Sequence, residues 1–274
     1  KNAQPKLRVL FYRSKMTKSK KILLFILTII LCLPLMFMGG CNSKVDIYLP
    51  EEDSGYYISN YVVDIVVGKD KKLSVTESIT AYFETGVSNG IYRYIPLTQT
   101  VGYYGNDGKL KEKNYSSSIS NFSYNKNTTS IYQSFEENGY QFYALKRTGN
   151  LVNKSYTFDF SYDYQMPDDR DDNIDFLYYN IIGTGWDTSI KNVDFTIEFP
   201  SDSNISLNEP DFYVGRLGKN NNISSRVTYL IEDNTVKGNC KNLEYGEALT
   251  VYHGFEDGYF TNKSNIIWDI VILI

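Results

Sequence analysis

An alternation of apolar and polar residues with a period of two constrains the fold of this chain more than any other sequence feature. It runs through residues 73–83 and 154–164, and it is typical of strands that bury one face. The 25 Tyr and 15 Phe against 2 Trp also favour strands over helices. In the second segment the apolar face is entirely aromatic and comprises Tyr156, Phe158, Phe160, Tyr162 and Tyr164.

Shorter strand signals recur along the rest of the chain, each bounded by Gly, Asn, Asp or Pro. They cover residues 61–67, 91–95, 140–146, 193–199, 212–216, 226–232 and 248–255. Short strands at this spacing, with little helical periodicity, predict an all-β fold, a β-sandwich of mostly antiparallel strands. We expect residues 99–130 to form a long loop or hairpin excursion, and residues 176–182, which have no clean period, to form a helical turn.

The first 40 residues have the layout of an export signal. They contain eight basic residues and no acidic one, and an apolar run at 22–38 is followed by Gly39 and Gly40. A basic region, an apolar region and small residues in this order indicate a secretory signal peptide. The alternative is a short uncleaved anchor, because the run is shorter than a membrane-spanning helix. With Met16 as the expected start, residues 1–15 are an upstream basic segment and residues 16–40 the signal peptide.

The residues Met38-Gly39-Gly40-Cys41 resemble the bacterial lipoprotein signal, in which the cysteine is acylated and becomes the new N-terminus. The resemblance implies lipidation of Cys41, with membrane lipid as the partner of this N-terminal anchor and residues 41–56 as a tether. The alternative is ordinary cleavage nearby, which leaves Cys41 a free thiol. The lipoprotein-like start predicts a bacterial protein at the extracytoplasmic face of the cell membrane.

Charge and cysteine content exclude several classes of function. Residues 41–274 carry 20 Lys and Arg against 32 Asp and Glu, a net charge of −12, which opposes nucleic-acid binding. Of the three cysteines, Cys32 lies in the apolar run and Cys41 at the lipoprotein-like site. If Cys41 is acylated, Cys240 has no partner for a disulfide in the mature chain. Zinc sites built from several cysteines are excluded by the same count.

The sequence offers few groups for catalysis. Its single histidine, His253, lies on a predicted strand, where a packed or edge histidine is expected. No P-loop, Gly-x-Ser-x-Gly elbow or Gly-x-Gly-x-x-Gly motif occurs. Paired carboxylates of a glycosidase remain an open alternative, because such residues are distant in a chain. Tyr103 and Tyr104, beside Asn106, could stack on the sugar rings of an envelope glycan. The simpler prediction is that they belong to a polar loop with no ligand.

An acidic segment at 168–175 provides the only cofactor candidate. Asp169, Asp171, Asn173 and Asp175 fall at every second position, as oxygen ligands do in a calcium loop. The EF-hand version fails, because Ile174 occupies the position of the turn glycine. Two interpretations of these four residues therefore remain: an irregular Ca²⁺ site, or a solvated acidic loop that binds no ion.

Two opposite charges occupy predicted apolar-face positions. Glu77 lies between Val75 and Ile79, and Arg93 lies between Ile91 and Ile95. A lone buried charge costs several kcal/mol, so we predict that Glu77 and Arg93 meet as a structural ion pair on neighbouring strands. The expected role is to fix strand register; the alternative is a ligand or signalling site.

Four segments together resemble the family of predicted membrane proteins known as domain of unknown function 2207. They are residues 73–80, 89–96, 183–186 and 246–251, of which Gly90-Ile91-Tyr92-Arg93-Tyr94-Ile95-Pro96 is the most specific. The resemblance implies an extracytoplasmic β-rich domain, here 57–260, followed by membrane helices, of which residues 261–274 are the expected start. The alternative for the apolar residues 266–274 is a final strand. It implies no activity.

These observations predict a membrane-anchored, extracytoplasmic, non-catalytic module that acts in binding or in envelope assembly. Its expected partners are membrane lipid and an envelope glycan or a membrane protein. The competing hypotheses are a cell-envelope hydrolase that uses paired carboxylates, and the extracytoplasmic part of a membrane transport or signalling complex.

Overall fold

A computed structural model describes residues 55–86, 88–104, 110–167, 174–216 and 225–261. In these residues the period-two patterns form fifteen strands and no helix. The strands are β1 (Tyr56–Val67), β2 (Lys72–Phe83), β3 (Gly90–Pro96), β4 (Thr98–Tyr104), β5 (Leu110–Ser116), β6 (Ser118–Tyr124), β7 (Ile131–Glu137), β8 (Tyr140–Lys146), β9 (Lys154–Gln165), β10 (Ile174–Ile182), β11 (Ile190–Glu198), β12 (Asp211–Arg216), β13 (Val227–Glu232), β14 (Thr235–Leu243) and β15 (Glu247–Glu256).

A seven-stranded sheet forms one layer of the fold, in the order β13-β14-β11-β1-β2-β9-β6. Its centre is the long hairpin of β1 and β2, whose turn is closed by a 2.8 Å hydrogen bond from the Gly68 amide to the Lys72 carbonyl. Strands β1 and β11 pair in parallel, and the other neighbours in this sheet are antiparallel. The aromatic face of β9 is directed into the core, with Phe158, Phe160, Tyr162 and Tyr164 buried.

Two three-stranded antiparallel sheets, β10-β15-β12 and β3-β8-β7, pack against the inner face of the seven-stranded sheet. Ring contacts join the layers: the Phe195 and Phe212 centroids are 5.1 Å apart, and those of Phe122 and Tyr143 are 3.8 Å apart. Buried aromatic pairs of this kind add about 0.5–1.5 kcal/mol beyond their buried area. The all-β fold predicted from the sequence is confirmed, with mixed and antiparallel sheets.

One local prediction differs from the structure. Residues 176–182 belong to strand β10, not to a helical turn, and Leu177, Tyr179 and Ile181 face the core. The period is masked in the sequence because the outward positions are aromatic as well; the ring of Phe176 lies 6.1 Å from that of Tyr252. Of the two alternatives for residues 99–130, a long loop or a hairpin excursion, the structure has the hairpin, formed by β4 and β5 and followed by the edge strand β6.

The last described residues are held against the β1–β2 turn. Phe260 is buried, and its amide donates a 2.9 Å hydrogen bond to a carboxylate oxygen of Asp175. The Thr261 amide donates to the Lys69 carbonyl at 2.7 Å. Among the described residues, no helix has the length and hydropathy required to cross a membrane.

Candidate functional site

Glu77 and Arg93, the two residues predicted to pair, lie in contact in the middle of the core. The Arg93 Nε atom is 2.9 Å from Glu77 Oε2, and Nη2 is 3.0 Å from Oε1, so the ion pair is bidentate. Both side chains are fully buried. Their strands, however, are not neighbours: β2 belongs to the seven-stranded sheet and β3 to a facing sheet. The pair therefore joins the two layers, and the expected role in the register of adjacent strands is wrong.

Tyrosine hydroxyls complete the coordination of the buried carboxylate. Tyr61 donates a hydrogen bond to Glu77 Oε2, and Tyr162 donates one to Oε1 at 2.6 Å. The Tyr162 and Tyr179 hydroxyls are 2.8 Å apart. Arg93 also donates a hydrogen bond from Nη1 to the backbone carbonyl oxygen of Tyr94, at 2.8 Å. Each charged nitrogen and oxygen atom of the pair thus has at least one hydrogen-bond partner, which offsets the large cost of removing the two charges from water.

The same network sets the ionisation of its members. Burial raises the pKa values of Tyr61 and Tyr162 well above the ordinary value. The Arg93 cation opposes this rise, and the Glu77 carboxylate adds to it. Burial by itself would lower the pKa of Arg93, but the contact with Glu77 outweighs it and the pKa is raised. The tyrosines are thus fixed as neutral donors and the arginine as a cation.

The segments that carry the family resemblance converge on this network. A Cβ atom on Gly185 would lie 2.7 Å from the Cβ of Tyr94, so only glycine fits between these two backbones. The neighbouring Trp186 ring meets Tyr61 edge-on at 5.7 Å, and its carbonyl accepts a 2.9 Å hydrogen bond from the Gly246 amide. Segments 73–80, 89–96, 183–186 and 246–251 therefore meet in one buried region, where the layers are in contact.

His253 lies on the core side of β15, as expected of a packed histidine. It is 2% exposed, and its ring meets those of Phe199 and Phe255 edge-on, at 5.4 and 4.5 Å. Its Nδ1 atom has no hydrogen-bond partner among the described residues. Burial lowers its pKa to about 4, against an opposing effect of the Asp211 carboxylate. The imidazole is therefore neutral at physiological pH.

The candidate calcium ligands are only partly described. Asp169, Asp171 and Asn173 lie outside the described residues. Asp175 is buried, with one carboxylate oxygen 3.4 Å from the Lys71 ammonium group and the other accepting the Phe260 amide. This carboxylate is engaged by an internal cation. In the described part of the chain no group of three or more His, Cys, Asp and Glu side chains is arranged to hold a metal ion.

The cysteines give a similarly divided result. Cys41, the predicted lipidation site, lies outside the described residues. Cys240 is a buried free thiol on β14, and burial raises its pKa. A buried thiol of raised pKa is a weak nucleophile, so Cys240 is part of the packing.

An acidic cleft of about 710 Å³ lies beside His253. Its carboxylates come from separate parts of the chain: Asp202 and Glu209 precede β12, Asp211 begins it, and Glu256 ends β15. No sequence motif links these residues, so the sequence analysis missed them. The tertiary structure brings them to one place, in part by pairing β12, which begins at Asp211, with β15.

The electrostatics of the cleft are uneven. Asp202 pairs with the Lys69 ammonium group at 2.7 Å and accepts a hydrogen bond from the Tyr259 hydroxyl at 3.1 Å. The hydrogen bond from Lys69 lowers the pKa of Asp202. Glu209 accepts a hydrogen bond from the Tyr229 hydroxyl at 2.9 Å. Among the described lysines and arginines, none forms an ion pair with Glu209, Asp211 or Glu256.

Comparison with known families gives one match to the chain. The family model described as the N-terminal domain of a predicted membrane protein, DUF2207, matches residues 57–255. These residues contain all four segments of the buried region. A search of curated proteins finds no match.

Solved structures resemble this chain only remotely. Yeast LTA4 hydrolase in complex with bestatin is 10% identical with a TM-score of 0.38, and the alignment covers 76% of this chain and 31% of that one. The M1 zinc metallopeptidase from Deinococcus radiodurans is 10% identical with a TM-score of 0.33, covering 73% and 43%. The chain spans less than half the length of these structures, and values this low assign no activity.

Proposed function

Because the chain belongs to the DUF2207 family of predicted membrane proteins, we propose that it is a non-catalytic module at the extracytoplasmic face of a bacterial membrane. It acts there by binding, or by supporting assembly of the cell envelope. The family description supports the membrane association. The basic and apolar N-terminal layout ending in Gly39-Gly40-Cys41 supports the extracytoplasmic side and a lipid anchor at Cys41.

The complete burial of the Glu77–Arg93 pair carries the non-catalytic part of the proposal. The most distinctive charged residues of the chain are 0% and 1% exposed, and their hydrogen-bonding capacity is used by tyrosines and the backbone. No substrate reaches such a centre without unfolding the sandwich. Function is therefore assigned to the surface, where the acidic cleft is a concave feature of ligand size.

A cell-envelope hydrolase remains the second candidate, and one observation favours it: the acidic cleft contains four carboxylates. A hydrolase of this kind requires one carboxylic acid of raised pKa as proton donor. Asp202 has the opposite property, because Lys69 lowers its pKa. Asp202 is therefore unsuited to the role of proton donor.

The attachment of residues 259–261 to the core bears on the third candidate, a part of a transport or signalling complex. Phe260 is buried beside Asp175 and Lys71, directly before the segment that the sequence predicts to enter the membrane. A rigid link of this kind would transmit movement between the domain and a membrane helix. This role is compatible with binding in the cleft.

The location is tested with the full chain in a bacterial host. A membrane-impermeant, amine-reactive biotin reagent is applied to spheroplasts, and labelled peptides are identified by mass spectrometry. We expect the exposed Lys154 and Lys241 to be labelled before lysis, while a cytosolic reference protein is not. Labelling of both lysines only after lysis would contradict the proposal.

The anchor is tested in the same cells with Cys41→Ser. We expect the wild-type chain to carry an acyl modification on Cys41, seen as added mass on the N-terminal peptide, and the variant to lack it. An unmodified thiol at Cys41 in the wild-type chain would remove the lipid anchor from the proposal and leave the extracytoplasmic location to the biotin labelling.

A further inference from the structure

The acidic cleft combines unpaired negative charge with unpartnered buried polar groups. Of its four carboxylates, Glu209, Asp211 and Glu256 form no ion pair with a described lysine or arginine. His253 lines the same cleft at 2% exposure, with Nδ1 unpartnered among the described residues. The buried Ser203 Oγ atom in the cleft wall is also without a described partner.

Buried polar atoms are nearly always hydrogen-bonded in folded proteins, so an unpartnered one beside a cleft indicates a position for a ligand or an ordered water. The neutral imidazole can offer an Nδ1 lone pair, and the serine hydroxyl can accept a hydrogen bond or donate one. Together with three carboxylates, these atoms form a set composed mainly of acceptors. The complementary ligand is a cation that carries several N–H donors.

A bare metal ion fits this set poorly. Within the described residues, no three of the His, Cys, Asp and Glu side chains come close enough together to ligate one ion. The acceptors are instead distributed along a cleft of about 710 Å³, a volume typical of sites for small organic molecules. The rim includes Leu207, whose side chain is 86% exposed and offers apolar contact. An extended ligand with charged ends and an aliphatic body matches this arrangement.

We propose that the acidic cleft binds primary alkylammonium groups on a flexible aliphatic chain, as found in polyamines and in lysine side chains of peptides. Glu209, Asp211 and Glu256 hold the charged groups, and His253 Nδ1 accepts a hydrogen bond at the inner end. This inference gives a ligand class to the proposed binding module and rests on that proposal. No covalent step is involved.

The test is isothermal titration of the full chain in detergent micelles with two probes. Spermidine represents free polyamines, and acetyl-Lys-Lys-Lys-amide represents peptides; acetyl-Gln-Gln-Gln-amide and CaCl₂ are the controls. We expect saturable binding of at least one amine probe and no binding of the glutamine peptide. Preference for spermidine or for the lysine peptide identifies the source of the amine.

Matched variants separate the cleft from general attraction to an acidic protein. Glu209→Gln with Asp211→Asn should weaken binding of the amine probe at least tenfold. Glu136→Gln with Glu137→Gln removes the same charge from exposed positions on β7, outside the cleft, and should change the affinity less than twofold. His253→Phe keeps an aromatic ring in the core and should weaken binding several-fold. Melting temperatures verify that each variant is folded.

Three results would overturn the ligand assignment: no heat with either amine, equal weakening by the two double variants, or binding of Ca²⁺ that is lost in the cleft variant. None of them bears on the location of the domain, which the biotin labelling measures independently. A chain that labels from outside and binds no amine would retain the proposed module and lose only this ligand.

Discussion

The Glu77–Arg93 pair illustrates how a buried charge is tolerated in an apolar core. Both ions are removed from water at a cost of several kcal/mol each, and the bidentate contact with its tyrosine and backbone partners offsets that cost. Removing one partner leaves the other charge without compensation. The pair is therefore more important for what its disruption costs than for the net stability that it adds.

We predict that Arg93→Met destabilises the protein by about 3–5 kcal/mol, because Glu77 then remains buried as an unpaired acid. The double variant Arg93→Met with Glu77→Leu should recover most of this loss, since no charge is left in the core. Urea unfolding followed by circular dichroism gives the free energies of unfolding. A double variant as unstable as the single one would refute the interpretation.

The control for this prediction is an ion pair of similar geometry at the surface. The Nη1 and Nη2 atoms of Arg226 lie 2.9 and 3.0 Å from the carboxylate oxygens of Glu247, but the Arg226 side chain is 37% exposed. Water screens such a pair, so Arg226→Met should cost no more than about 1 kcal/mol. The contrast between the two arginines isolates burial as the cause.

His253 predicts a dependence of stability on pH. Burial lowers its pKa to about 4 in the folded protein, whereas histidine in an unfolded chain titrates near 6.5. Between these values the unfolded state binds more protons, so the free energy of unfolding falls as the pH falls from about 6.5 towards 4. Above pH 6.5 this contribution is constant.

We predict that His253→Phe abolishes this part of the acid sensitivity. The difference in unfolding free energy between wild type and variant should change by on the order of 2 kcal/mol between pH 7 and pH 4, in the direction that favours the variant at low pH. Urea unfolding at matched pH values measures it, and other titrating groups cancel in the difference. A difference independent of pH would show that the imidazole titrates normally in the folded state.

At the scale of elements, the close approach between the Gly185 turn and strand β3 holds the facing sheets in position. A Cβ at Gly185 would lie 2.7 Å from the Cβ of Tyr94, a distance that real contacts essentially never show. The same logic applies within the large sheet, where a Cβ at Gly238 would meet the Phe195 ring at 2.1 Å. Both glycines provide space, and neither has a backbone conformation that requires glycine.

We predict that Gly185→Ala destabilises the protein by about 1–3 kcal/mol, because the strand and the turn must separate to admit the methyl group. Gly86→Ala is the matched control: its Cβ would meet Val152 at 3.6 Å, an ordinary contact, and should change stability by less than about 1 kcal/mol. Thermal unfolding of both variants provides the comparison. Equal effects would show that the loss of glycine itself, and not the contact with Tyr94, is responsible.

At the scale of the whole molecule, the two layers differ in what they contribute. The seven-stranded sheet supplies the continuous apolar face, including the aromatic side of β9 and the carboxylate of Glu77. The facing sheets supply Arg93 and the backbone turns that meet it, and their strands β12 and β15 form part of the acidic cleft. One ion pair is thus buried between the layers, whereas the four carboxylates of the cleft are accessible from the surface.

Alternation along single strands determined the all-β class, the buried faces of β2 and β9, and the placement of Glu77 and Arg93 in the core. These are local properties, because a period of two orients each side chain relative to its own strand. For the same reason β10 was missed, since aromatic residues such as Phe176 and Tyr178 on its outer face hide the period.

Only the tertiary structure decided which strands face each other. It placed Arg93 across the core from Glu77 instead of beside it, brought Tyr61, Tyr162 and Tyr179 into the network, and gathered Asp202, Glu209, Asp211 and Glu256 into one cleft. Side chains from positions 61 to 256 of the chain meet in these sites through strand order and sheet packing. The spacing of residues in the sequence does not reveal the strand order, because that order depends on how the apolar faces of all strands are buried together.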